Sequence, residues 1–340
     1  MEEFKSKRKS EILLYAVDEF IRSPQPITSA GLSKKFGDVS TATLRNELNA
    51  LEQMGYLTQL HTSGGRVPTN LAYRYYVNNI LQSKKLNPDS LERVKENYES
   101  KSVSLLSTLS SLARRLSKAT NCPTVLVQSG LENLTIIGLK IIPLIQKDAL
   151  LLVETMAGII DDNISLSPDV DREACDEAAS YLTSHFKGKT IKYMVDNIGE
   201  VCMRAGAQMY QFKSLIDSVA DALLKVVATK LDITNENPGK MLNSITQNEY
   251  DETKDILEFL ENGEEVLNTI DSNKFDFKIG DENTSNKLKG GMVMSSPIVI
   301  DGVNIGSLAV VGPKRIDYSS LATALKFIVG QAENLNKKGE

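Results

Sequence analysis

Tryptophan is missing from this 340-residue chain, and histidine occurs only as His61 and His185. Neither histidine has a ligand-type residue at metal spacing or an acid–base partner at triad spacing. Metal-assisted and hydrolytic chemistry therefore have no visible apparatus, and no cofactor or metal is expected. Three cysteines, Cys122, Cys175 and Cys202, stand far apart, which excludes a disulfide framework and a thiolate metal site and suits a reducing cytoplasm. Long apolar runs are missing as well: LTIIGLKIIPLI is broken by Lys140 and Pro143, ALLLVETMAGII by Glu154, and the opening MEEFKSKRKS has no apolar signal core. Neither a membrane span nor an export signal is expected. The pairs Asp161-Asp162 and Glu264-Glu265 are carboxylates adjacent in sequence only; neighbours do not share a face in strand or helix, so they read as solvated.

What is present is enough apolar material, 41% of residues, to build cores in about two or three domains. The net charge of −5 hides an asymmetry: residues 1–85 carry 12 Lys/Arg against 8 Asp/Glu, and the remainder 27 against 36. A locally cationic N-terminal part permits a nucleic-acid partner without requiring one.

In SEILLYAVDEFIRS, residues Leu13, Ala16, Val17, Phe20 and Ile21 recur at steps of three and four, one apolar face of a helix that ends before Pro24. A short second helix begins near Thr28, with Leu32 and Phe36 inward. The third, in VSTATLRNELNALEQMGYL, has Ser40 or Thr41 as N-cap, an inward stripe of Leu44, Leu48 and Leu51, and Gly55 at its end. Its opposite face carries Ala42, Thr43, Asn46, Asn49 and Gln53, flanked by Arg45. Short residues allow close approach to a major groove, Arg reads guanine and Asn reads adenine; a merely solvated polar face is the alternative. YLTQLH and RVPT then suggest two short antiparallel strands joined by TSGG. The order of three helices and a hairpin is that of a winged helix-turn-helix, with Arg66 where a wing meets phosphate or a narrow minor groove. A nucleotide-binding loop is excluded, because G-x-x-x-x-G-K-S/T needs separated glycines and a lysine. An ordinary hairpin without a ligand stays open.

The run SKKFGDVSTATLRNELNALEQMGYLTQLHTSGGRVPTNLAYRYYV resembles the N-terminal domain of the HrcA heat-inducible transcription repressors. That family's pattern runs S-x-A-T-I/L-R-N-D/E-M/L-x-x-L-E-x-x-G-Y/F-L, then H-T-S-A-G-R-V/I-P-T and G-Y-R-Y/F-Y-V. Thr41 and Gly64 replace the usual Ser and Ala without loss of a donor, and Leu71-Ala72 replace the usual Lys-Gly. The expected DNA-facing set is Ser40, Thr41, Thr43, Arg45, Asn46 and Asn49 on the helix and its cap, with His61, Thr62, Ser63 and Arg66 on the hairpin.

Residues 82–101 read as a polar linker running into a helix. From Leu91 its apolar positions 91, 94, 98, 105, 109, 112 and 116 form a seam, lying either on another chain or on its own domain. After Asn121 the pattern turns to strands in PTVLVQSG, LTIIGLKIIPLI and DALLLVETMAGIIDD. Helices follow through Val170, Ala174, Ala178, Leu182 and Phe186, and through Leu215, Ile216, Val219, Leu223 and Val227. Strands resume in KFDFKIG, GGMVMSSPIVI and VNIGSLAVVGP, with Asp301-Gly302 as a hairpin turn, and SSLATALKFIVGQAENL closes the chain as a helix.

FKIGDEN and GSLAVVGPKRIDYSSL are similar to the family's closing motifs I-G-x-E-N and G-x-I-G-V-I-G-P-T-R-M-D-Y, with Lys314 and Ile316 replacing Thr and Met. The resemblance implies an α+β multidomain protein. A winged helix-turn-helix spans 1–85, a linker and long helix 86–120, a GAF-like α/β sheet domain 121–164 with 231–340, and a mainly helical inserted dimerisation domain 165–230. It further implies a homodimer, an inverted-repeat operator on double-stranded DNA upstream of chaperone genes, release of repression by heat, and assistance by the GroEL chaperonin. The rival reading is a regulator whose GAF-like domain senses a small molecule.

Overall fold

In a computed structural model, described for residues 7–59, 65–83, 104–144, 147–168, 170–204, 212–228, 230–236 and 249–334, the N-terminal elements follow the apolar spacing. Helix α1 (Lys7–Arg22) buries Ile12, Leu13, Ala16 and Val17. Thr28 caps α2 (Ser29–Ser33), its hydroxyl accepting the Gly31 N–H at 3.0 Å. Ser40 caps α3 (Thr41–Gln53) by accepting the Thr43 N–H at 3.1 Å, satisfying a donor that the helix leaves free. Leu44, Leu48 and Leu51 of α3 are fully buried, and Gly55 with φ +79° lets the chain turn out of the helix. Strands β1 (Leu57–Gln59) and β2 (Arg66–Pro68) pair antiparallel, Gln59 opposite Arg66. The tip, with His61, Thr62 and Ser63, lies outside the described residues. Helix α4 (Asn70–Ser83) then folds back on α1, burying Ala72, Tyr73 and Val77.

Helix α5 (Leu105–Thr120) buries Leu105, Leu109, Leu112 and Leu116 within its own chain. Over the described residues the predicted seam therefore lies on its own domain; Leu91, Val94 and Tyr98 fall outside them. The next elements are β3 (Thr124–Gln128), β4 (Ile136–Pro143), β5 (Asp148–Thr155) and β6 (Gly158–Ser165). Helices α6 (Arg172–Phe186), α7 (Ile191–Arg204) and α8 (Lys213–Val227) follow, then β7 (Lys230–Thr234). Beyond lie α9 (Tyr250–Glu261), α10 (Gly263–Thr269), β8 (Asp276–Ile279), β9 (Gly291–Ile300), β10 (Val303–Pro313) and α11 (Tyr318–Glu333). Helix α7 is absent from the sequence-based expectation, although Ile191, Met194 and Ile198 keep helical spacing and are buried.

The strands sort into separate sheets. One has the order β7-β3-β10-β9-β8, with every neighbour antiparallel. Its turn at Asp301 (φ 50°) and Gly302 (φ +79°) takes the double left-handed form that Asp-Gly accommodates. One face packs Leu126, Met292, Met294, Leu308 and Val310 beneath α5 and α11; the other packs Val125, Val127, Val293, Ala309 and Val311 beneath α9 and α10.

Strands β4, β5 and β6 form their own three-stranded sheet, clad by α6 and α8. This corrects the expected partition: of the span 121–164, only β3 joins the larger sheet. The interruption starts after β3, and it is mixed rather than mainly helical. Alternation along β4 to β6 fits a half-buried strand equally well in either sheet; pairing across the chain, which sequence period does not encode, decides membership.

Candidate nucleic-acid interface

The site is the outward face of α3 with its surroundings. Ser40, Thr41, Ala42, Arg45, Asn46, Asn49 and Gln53 are exposed and Thr43 is half-buried, as burial of the leucine stripe on the opposite side requires. Ser40 is also spoken for as a cap, and its hydroxyl lies 2.9 Å from that of Thr43. Among the described residues, Arg45 and Asn46 have no side-chain hydrogen-bond partner.

Both carboxylates of the helix are neutralised from behind. Glu47 meets Lys9 of α1 at 3.8 Å, and Glu52 meets Arg66 at 2.7 Å. What faces outward is thus one guanidinium, three amides and short hydroxyls, a surface that can approach a polyanion without like-charge repulsion. Lys34 and Lys35, just before α3, are also exposed. They were not among the expected contacts; their signal was a pair of cations two residues before the Gly37-Asp38 break.

Arg66 departs from the expectation of a cation projecting from a wing. It is only 8% exposed, its Nε donating to Glu52 Oε2 at 2.7 Å and its Nη2 to Asn49 Oδ1 at 2.5 Å. Its backbone N–H and C=O exchange hydrogen bonds with Ile27 at 2.8 and 2.7 Å. Along β2, Arg66 and Pro68 share the buried side, so strand alternation turns the guanidinium inward onto α3. Arg66 joins the hairpin, α3 and the segment before α2, and it holds the Asn49 amide. At Gly65 glycine is required by contact, since a Cβ would lie 2.7 Å from the Ile27 carbonyl oxygen.

A prediction follows from this geometry. Arg66→Ala should lower the stability of the protein by about 1–3 kcal/mol by orphaning Glu52. A phosphate-contacting Arg66 would instead flatten the slope of log affinity against log salt by roughly 0.9 per contact; with its charge spent on Glu52, the wild-type slope should persist. Thermal unfolding beside a salt titration of binding checks both parts, and a flattened slope with unchanged stability would sink the assignment.

Elsewhere there is little chemistry. Glu264 and Glu265 diverge as adjacent residues must; Glu265 accepts from Ser285 at 2.5 Å and pairs with Lys287 at 3.3 Å. The Ser285 hydrogen bond, with Lys287 adding to it, lowers its carboxyl pKa. His185 is engaged locally with Ser184 and the Tyr181 carbonyl. Among the described residues no cluster of His, Cys, Asp and Glu is able to hold a metal ion, and no helix is long and apolar enough to cross a membrane.

Comparison with known proteins bears on residues far beyond α3. The family model described as "HrcA protein C terminal domain" matches residues 107–321. A heat-inducible transcription repressor HrcA from Symbiobacterium thermophilum is 26% identical over 343 residues, covering 97% of this chain and 98% of its own. The Bacillus pumilus repressor of the same description is 27% identical, covering 97% of each. A solved structure described only as a hypothetical protein superposes with a TM-score of 0.71 at 20% identity, covering 98% of this chain and 99% of its own. That likeness speaks to the fold alone.

Proposed function

Since this chain belongs to the HrcA family of heat-inducible transcription repressors, we propose that it represses transcription by gripping an inverted-repeat DNA operator with two identical heads, one from each subunit of a homodimer. Each head is a winged helix-turn-helix in which α3 enters the major groove. Arg45 and Asn46 read base edges, while Thr41, Thr43 and the exposed cap residue Ser40 lie close to the backbone. Asn49 is aimed by Arg66, which acts from behind and is not itself a groove contact. His61, Thr62 and Ser63 supply the wing's approach to phosphate, and Lys34 and Lys35 add to the backbone grip. The observation that carries this reading is the outward face of α3, where Arg45 and Asn46 stand exposed while both carboxylates of the helix are occupied.

The larger sheet is read as a GAF-like domain, and the smaller sheet with α6 to α8 as the inserted dimerisation domain. Family resemblance supports placing the operator upstream of chaperone genes, relief of repression by heat, and maturation with GroEL. The small-molecule sensor has weaker support, because both faces of the larger sheet are filled by side chains of α5, α9, α10 and α11. The test is a gel shift at physiological salt with three duplexes: an inverted repeat from upstream of a chaperone gene, one half of it, and a scrambled control. Binding to the repeat should exceed scrambled DNA by about a thousandfold or more. Equal affinity for all three ends the proposal.

A further inference from the structure

Three motifs play no part in reading DNA: YRYYV at 73–77, IGDEN at 279–283 and GPKRIDY at 312–318. The fold brings them to one seam between the head and the larger sheet. From α4, Arg74 donates through Nε to Glu282 Oε1 at 2.8 Å and through Nη2 to Glu282 Oε2 and to the Phe277 carbonyl at 2.5 Å. Its guanidinium carbon lies 4.8 Å from the Phe277 ring centroid. Glu282 is in turn oriented by the Ile279 N–H at 2.8 Å. One turn earlier on the helix, Asn70 donates to Asp281 at 3.0 Å, and Gly280 (φ +55°) lies so close that an added Cβ would overlap the Asn70 side chain. On the far side, Arg315 pairs with Glu249 at 2.7 and 2.9 Å and reaches the Ile21 carbonyl at the end of α1 at 3.3 Å. The centre is aromatic: fully buried Tyr318 lies 5.5 Å from Phe277, 6.1 Å from Tyr73 and 6.4 Å from Tyr76.

A buried aromatic centre rimmed by a bidentate, ring-stacked arginine has the anatomy of a strong, orientation-specific interface. Domains joined by weaker seams move by default. None of these groups lies on the exposed face of α3, so whatever they contribute to operator binding passes through the placement of the head. In a two-fold repressor that placement sets the distance and rotation between recognition helices; each base pair added between half-sites shifts one by about 3.4 Å and turns it by roughly 34°.

We propose that Arg74, with Asn70 and Arg315, is a positioning latch that fixes the head on the larger sheet and thereby sets which half-site spacing the dimer accepts. The inference rests on the homodimeric operator-binding reading above. It is tested with the full chain carrying Arg74→Ala, and with Glu282→Gln as a milder variant that leaves the head untouched.

Affinity is measured for a lone half-site and for inverted repeats whose spacer is native or changed by one, two or five base pairs. Wild type should lose about tenfold or more at each altered spacer, as linked heads forfeit simultaneous engagement. Arg74→Ala should keep half-site affinity within about twofold, lose roughly tenfold on the native repeat, and vary by no more than about threefold across spacers. Glu282→Gln should fall between. Amide hydrogen exchange without DNA gives an independent arm: Arg74→Ala should speed exchange by about fivefold or more both in 70–77 and, across the seam, in 276–282, leaving α3 unchanged. A wild-type spacer profile in Arg74→Ala, or unchanged exchange at 276–282, overturns the latch. If wild type itself does not prefer the repeat to the half-site, the repressor reading fails instead, and the exchange arm still decides whether Arg74 fixes the head.

Discussion

Gly306→Ala is expected to destabilise the protein by on the order of 3–5 kcal/mol, among the largest effects of any single methyl added to this chain. Gly306 sits in the bulge of β10 between Asn304 and Ser307, with φ +135°, and a Cβ there would overlap the carbonyl oxygen of Val127 on β3. Two costs add: a backbone region closed to L side chains, and separation of β10 from β3 at the middle of the five-stranded sheet. The bulge is held by Asn304, whose side chain accepts the Gly306 N–H at 2.9 Å and donates to Ser272, so the strand has little freedom to move away. Gly199→Ala is the control. It lies in α7, exposed, with open space around it, and alanine there should stabilise by about 0.5–1 kcal/mol. Urea unfolding of the full chain measures both; a Gly306→Ala midpoint within error of wild type would falsify this account of the bulge.

Arg45→Ala and Asn46→Ala are expected to cost about 1–3 kcal/mol per base contact, hence roughly 2–6 kcal/mol on a full operator that engages each residue twice. Scrambled DNA should lose much less, because phosphate contacts made by other residues survive. Folding should be unaffected: both side chains are exposed and make no hydrogen bond among the described residues, and the helix is held by Leu44, Leu48 and Leu51. Unchanged circular dichroism and unfolding midpoint are the controls. Equal losses on operator and scrambled duplexes would mean that these residues touch only the backbone, and the source of specificity would have to be sought elsewhere.

Local pattern alone determined the helices and turns that depend on residues within one or two turns of each other. Steps of three and four placed α1, α3, α5, α6 and α8; Ser40 or Thr41 and Gly55 marked the limits of α3; Asp301-Gly302 marked the β9–β10 turn. The outward face of α3 was legible for the same reason, since burying Leu44, Leu48 and Leu51 leaves Arg45 and Asn46 outside. Two kinds of fact were settled only by tertiary structure. The first is strand partnership: β4, β5 and β6 alternate like the strands of the larger sheet, yet pair among themselves, because alternation records that one face is buried and not which chain segment buries it. The second is how each cation is used. Arg66 beside a glycine turn looked like a phosphate contact until folding set it on Glu52, and Arg74 meets Glu282 from 208 positions away. A charge finds its partner through space, and the low dielectric that makes such a pairing matter exists only once the chain has closed around it.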